Sequence, residues 1–139
     1  MTQDAKIIIY GAGAIGCTLA AWLSVKHENT FLLCRGESAK QIRNNGLKIY
    51  CPDNQSEVKT IPVKVIESIE EVEKPDVITL AVKNYSLPEI VKNLKGKIKS
   101  NTVVLGLQNG VANQKSLTPA LSFGEGAEVL FGVLAYNSW

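Results

Sequence analysis

A doubly wound, mainly parallel α/β sheet is the fold class that this 139-residue sequence predicts, and three observations predict it. The first is Lys6-Ile-Ile-Ile-Tyr-Gly-Ala-Gly-Ala-Ile-Gly16, an apolar run that stops at a glycine turn and passes at once into a helical pattern. The second is the return of short, mostly apolar runs at Thr30 to Cys34, Val77 to Val82, Thr102 to Leu107 and Glu128 to Ala135. Strands buried on both faces read this way, without alternation. The third is helix-compatible sequence between most of them, which gives the strand–helix repeat of a parallel sheet.

The opening stretch carries the most chemistry. Gly11, Gly13 and Gly16 make G-x-G-x-x-G. In a dinucleotide-binding fold the first glycine allows a tight turn, the second lets the backbone approach a pyrophosphate, and the third lets the helix lie close to its strand. The helix N-terminus then meets the phosphates with its N–H groups and positive dipole end. Glycine-rich turns are common, so the motif alone is weak. A strand before it, a helix after it and a second strand at the right distance make it a Rossmann-like nucleotide site. A purely structural βα turn is the alternative.

From Ala14 to about Lys26, Ile15, Leu19, Trp22 and Leu23 keep the spacing of one helical face, with Ala20 and Ala21 allowing close approach to the sheet. Trp22 is expected in the core or at its rim. Asn29 is a turn, and Thr30 to Cys34 is the second strand. Arg35 follows it, nineteen positions after Gly16, where an NAD site would place an acidic residue for the ribose hydroxyls. A guanidinium there stacks on adenine and pairs with a 2′-phosphate, which favours NADP. Glu37 is the rival, able to serve a ribose if the loop turned it inward, and a plain surface charge at Arg35 is the third reading.

Ser38 to Asn45 reads as a short helix stopped at Asn45-Gly46. Leu47 to Cys51 and Val58 to Val65 read as an inserted hairpin whose second run ends as the outer parallel strand. Ser68-Ile-Glu-Glu71 is a capping box opening a short acidic helix. Lys74-Pro75-Asp76 turns into the strand Val77 to Val82, with Lys83-Asn84-Tyr85 just past its carboxyl end, where open α/β sheets bind ligands. Ser86-Leu-Pro-Glu89 is a second capping box, and its helix runs through Ile90, Val91 and Leu94 to Gly96. Gln108-Asn109-Gly110 ends the strand Thr102 to Leu107; Asn109 is either a turn residue or a neighbour of Lys83 at the sheet edge. Val111 to Leu121 is helix-like, Ser122 to Gly126 a loop, and Glu128 to Ala135 the last strand. The expected sheet has about six parallel strands in the order 3-2-1-4-5-6.

Composition excludes several classes. A net charge of +2, with 45% hydrophobic and 20% charged residues, gives no reason to propose nucleic acid or a membrane surface. Lys92, Lys95, Lys97 and Lys99 read as a solvated helix end and turn. No apolar stretch approaches the roughly 20 residues that span a bilayer. Met1-Thr-Gln-Asp-Ala5 carries no signal pattern, so the expected location is cytoplasmic. Cys17, Cys34 and Cys51 lack disulfide-framework or zinc spacing, so no metal site is expected, and the first two read as small core residues. His27, the sole histidine, sits at a helix end as a cap or solvent-facing residue, which leaves no Ser–His or Cys–His dyad.

Tyr10-Gly-Ala-Gly-Ala-Ile-Gly16, Leu33-Cys-Arg-Gly36, Leu80-Ala-Val-Lys83 and Leu107-Gln-Asn-Gly-Val111, in that order, resemble the amino-terminal domain of the ketopantoate reductase (2-dehydropantoate 2-reductase) family over nearly the whole chain. The resemblance implies NADPH-dependent reduction of 2-dehydropantoate to (R)-pantoate, a step towards pantothenate. It implies that Gly11, Ala12, Gly13, Ala14, Ile15 and Gly16 cradle the pyrophosphate and that Arg35 binds the 2′-phosphate. Lys83 then lies near the nicotinamide ribose, and Asn109 touches both cofactor and 2-oxo-acid substrate. The family's helical second domain carries the proton-donating lysine and further substrate contacts, and none of these precedes Trp139. Residues 1–139 are therefore expected to be the dinucleotide-binding domain of a two-domain enzyme. Such a domain binds cofactor, holds no catalytic residue and turns over little. The apolar surface left where a second domain docks would favour a homo-oligomer. A non-catalytic NADP-binding module and the first domain of a related dehydrogenase are the rival readings.

Overall fold

The computed structural model describes residues 4–51, 54–82, 87–94, 102–107 and 128–131. The first strand, β1 (Ile7–Tyr10), is buried at all four positions. Its side chains alternate between two separate cores. Ile7 and Ile9 join Ala20, Leu32 and Ala39 on one face, whereas Ile8 and Tyr10 join Ile78, Ile90 and Leu94 on the other. A strand covered on both sides has no position for a polar residue, which is why its sequence is an unbroken apolar run.

Helix α1 (Ala14–Lys26) follows, then β2 (Thr30–Leu33) and α2 (Gly36–Asn45). The hairpin strands β3 (Leu47–Cys51) and β4 (Asn54–Ile61) come next, and then β5 (Lys64–Ile66). After a single 3-10 turn over Ile69–Glu71, the chain forms β6 (Val77–Leu80), α3 (Leu87–Leu94), β7 (Val103–Gly106) and β8 (Glu128–Phe131). The main sheet has six strands in the order β5-β2-β1-β6-β7-β8, every pair parallel, and β3 and β4 form a separate antiparallel pair. Counting only the sheet strands, this is the expected 3-2-1-4-5-6 order with an inserted hairpin. No helix among the described residues is long and apolar enough to cross a membrane.

Two expectations need correction and a third is narrowed. Of core or rim, Trp22 takes the rim: it is 54% exposed and lines a cleft together with Tyr50. Gly16, Ala20 and Ala21 are the buried residues of α1, and these small side chains draw the helix onto the sheet with Trp22 turned outward. The run from Val58 to Val65 is two strands, because Pro62 has no N–H to continue a ladder; β4 ends at Ile61 and β5 begins at Lys64. The acidic helix at Ser68 is only the single turn, although the reciprocal capping box is present there.

Other details agree with the sequence. Helix α2 begins at Gly36, two residues earlier than expected, and stops at Gly46, whose φ is +72°. His27 closes α1 through its backbone N–H, which donates to the Leu23 carbonyl at 2.7 Å. The proposed capping serine Ser86 and the helix and loop expected over residues 111–126 lie outside the described residues.

Candidate cofactor site

The carboxyl end of β1 builds the site. Gly11 has φ +114°, a conformation that side-chain-bearing residues rarely adopt. A Cβ on it would also lie 2.7 Å from both the Ala81 carbonyl oxygen and Val82 Cγ1. Its N–H donates to the Leu33 carbonyl at 3.0 Å, while the Ala81 N–H donates to the Tyr10 carbonyl at 2.9 Å. The turn is thereby fixed to the ends of both flanking strands, β2 and β6. Gly16 is buried on α1, and a Cβ there would fall on the Gly11 carbonyl oxygen. Two of the three glycines are therefore required by the protein's own packing.

Gly13 is different. It has φ −78° and ψ −172°, which any residue adopts, and a Cβ built on it meets nothing within 4 Å. Nothing in the protein forbids a side chain there. It is the N-cap of α1, with no side-chain capping bond and no acidic residue in the first turn. The positive end of the helix thus faces open space over a bare backbone, an arrangement suited to an anion.

The glycine turn opens into a cleft of about 380 Å³, floored by Gly11 and Ala12. Leu33, Cys34, Arg35 and Ser38 form one wall, and Val82, Glu89, Ile90 and Asn93 the other. Burial pushes the Cys34 thiol up, so it stands in the wall as a neutral group. Arg35 is exposed at the N-cap of α2, and its Nε donates to the Glu67 carbonyl at 3.2 Å. Glu37, its rival from the sequence, is not in the cleft wall; its carboxylate accepts from Gln41 at 3.4 Å along α2. Ala14 and Ile15 follow Gly13 in the first turn of α1.

Lys83 and Asn109 lie outside the described residues. The strands before them are neighbours: Leu80 pairs with Gly106, and the Leu107 N–H donates to the Leu80 carbonyl at 3.2 Å. Sequence reasoning did not find the α3 wall. Glu89 had a local explanation as a capping-box residue, and Asn93 had no motif; only the packing of α3 on the sheet, with Ile90 and Leu94 in the core beside Ile78 and Leu80, brings them to the cleft.

Comparison with known proteins agrees with this geometry. A family model described as ketopantoate reductase PanE/ApbA matches residues 7–138. The 2-dehydropantoate 2-reductase of Pyrococcus abyssi is 38% identical over 114 residues, covering 81% of this chain and 35% of its own length. That of Aquifex aeolicus is 30% identical over 130 residues, covering 93% of this chain and 39% of its own length. The chain thus spans between a third and two fifths of the length of these curated relatives. The crystal structure of a probable 2-dehydropantoate 2-reductase from Bacillus subtilis superposes with a TM-score of 0.78 at 25% identity, over 95% of this chain and 42% of that one. The glycine turn, the strand order and a match from β1 almost to the last residue agree, and the chain belongs to the ketopantoate reductase PanE/ApbA family.

Proposed function

We propose that this chain is the NADP-binding domain of a two-domain 2-oxo-acid reductase, with 2-dehydropantoate and (R)-pantoate as its substrate and product. The observation that carries the reading is Gly13, a position where the fold leaves room for a side chain and the sequence has none. A pyrophosphate lying against the start of α1 supplies the missing reason: a Cβ there would stand in its way. In this reading the backbone from Gly11 through Ala12, Gly13, Ala14 and Ile15 to Gly16 receives the pyrophosphate.

Arg35 takes the 2′-phosphate. Its place in the cleft wall supports that role, and the position of Glu37 outside the wall supports NADP over NAD. Lys83 is assigned to the nicotinamide ribose, and Asn109 to both cofactor and substrate. Support for that pair comes from the adjacency of β6 and β7, whose carboxyl ends precede them. NADPH supplies the hydride; the residues of this chain bind and orient the dinucleotide, and none is assigned a proton transfer. The proton donor belongs to the helical domain that completes the enzyme.

Titration of the protein with NADPH and NADH at fixed salt, by calorimetry, tests the reading. A preference for NADPH of tenfold or more, about 1.4 kcal/mol, is expected. Equal or NADH-favoured binding overturns the assignment of Arg35, and binding of neither overturns the cofactor reading itself.

A further inference from the structure

The two walls of the cleft differ in charge. Arg35 and Ser38 offer a cation and a hydroxyl on the α2 side, whereas Glu89 and Asn93 offer a carboxylate and an amide on the α3 side. Glu89 and Asn93 are four residues apart, so they share one face of the helix. Beside these polar groups Val82 and Ile90 make part of the α3 wall apolar, with Ile90 buried and Val82 packed against its core.

A dinucleotide phosphate entering from the glycine turn meets an asymmetric choice. Its 2′-phosphate is attracted to Arg35 and repelled by the Glu89 carboxylate. The base is thereby directed to the α3 wall, with its flat face on Val82 and Ile90. There the hydrogen-bonding edge of the base matters. Adenine presents the N7 acceptor beside the N6 amino donor, and an asparagine amide matches that pair with one donor and one acceptor. Glu89, an acceptor when ionised, adds a second partner for the amino group. Hypoxanthine replaces the amino group with a carbonyl oxygen. Its edge then has two acceptors side by side, which neither orientation of the Asn93 amide satisfies and which Glu89 opposes.

Resting on the cofactor reading above, we propose that Glu89 and Asn93 read the base edge, so that the site selects adenine dinucleotides. Sites built around such hydrogen bonds reject analogues that leave their polar groups unpaired.

The test compares the binding of NADPH, NADH and reduced nicotinamide hypoxanthine dinucleotide phosphate, by calorimetry, in the native protein and in Asn93→Ala and Glu89→Gln. Circular dichroism checks the fold of each variant. The native protein is expected to bind the hypoxanthine analogue at least tenfold more weakly than NADPH. Each variant is expected to cut that ratio to threefold or less; Asn93→Ala is expected to keep the native NADPH-to-NADH ratio, and Glu89→Gln to raise it, because the carboxylate that repels the 2′-phosphate is gone. Glutamine at position 89 can donate to the new carbonyl, so its gain is expected in the analogue's own affinity. Native binding of the two bases within twofold, or full discrimination retained in both variants, overturns the inference while leaving the cofactor reading intact. Failure to bind any of the three dinucleotides overturns both.

Discussion

The Nε of Arg35 donates to the backbone carbonyl of Glu67 at 3.2 Å, tying the residue that opens α2 to the one that follows β5. These two residues leave adjacent parallel strands, since Leu33 of β2 pairs with Ile66 of β5. Among the described residues this is the only hydrogen bond of the Arg35 side chain. One of five guanidinium donors is used to set the direction of the group, and its terminal nitrogens remain for an anion. An arginine already held in place loses less rotamer entropy when its ligand arrives.

Arg35→Gln is therefore expected to remove cofactor preference without harming the fold. Arg35 is exposed and reaches Glu67 from the surface, so the expected change in stability is within about 0.5 kcal/mol. Loss of a bidentate charged contact to phosphate is expected to bring the NADPH-to-NADH affinity ratio close to one. Glu37→Gln, made in parallel, is expected to leave the ratio unchanged. A shift in the ratio with Glu37→Gln and none with Arg35→Gln would reverse the assignment.

Gly13 and Gly16 separate binding from folding. Gly13→Ala places a methyl group in open space at an ordinary backbone conformation, so its stability is expected to fall only by the loss of glycine at the N-cap, about 0.5–1 kcal/mol. Its affinity for NADPH is expected to fall tenfold or more. Gly16→Ala does the opposite, because its methyl group meets the Gly11 carbonyl. Replacing glycine by alanine inside a helix gains about 1 kcal/mol in propensity. Overpacking costs roughly 1–3 kcal/mol and more where backbone must move, so the overlap wins and the net effect is destabilising. Chemical denaturation with and without NADPH distinguishes the two variants.

The strands that carry the site were legible because burial on both faces leaves an unmistakable apolar run, as in Ile7 to Tyr10. The place of Arg35 in the cleft wall was legible because its distance from the glycines is fixed by one helix and one strand. The orientation of α1 was legible in part. Ala20 and Ala21 marked the close approach to the sheet, but the apolar spacing also drew Trp22 into that face, and the structure leaves it exposed. The boundary at Pro62 was misread because valine and isoleucine on either side hid the missing N–H. The α3 wall depends on how a helix packs on the sheet, which no local spacing encodes.

Thr102→Val tests a polar anchor next to the sheet. Thr102 is fully buried, and its hydroxyl donates to the Pro75 carbonyl at 2.8 Å across the turn before β6. Valine keeps the shape and removes the donor. A buried carbonyl left without its partner costs about 1–3 kcal/mol. Urea denaturation is expected to show a loss of that size with an unchanged denaturant slope; a loss below about 0.5 kcal/mol would mean the hydrogen bond is not needed there.

Glu67, which receives Arg35 through its carbonyl, is held on its other side by Glu71. The Glu71 carboxylate accepts the backbone N–H groups of Glu67 at 2.6 Å and Ser68 at 2.9 Å. These two hydrogen bonds, that from Glu67 foremost, hold the carboxyl below the usual carboxylate value of 4.5. Between the folded and unfolded values the unfolded chain binds the proton more readily, so stability rises with pH through that interval. The contribution is complete above pH 4.5 and is lost as pH falls through the lower folded-state value. Glu71→Gln keeps the size of the side chain but removes its charge. The variant is expected to melt below the native protein at pH 7, and the difference is expected to narrow steadily below pH 4.5 as the native carboxylate becomes protonated. Thermal melts of both proteins across that range check the prediction, and a gap that stays constant down to pH 3 would show that the carboxylate does not stabilise this turn through its charge.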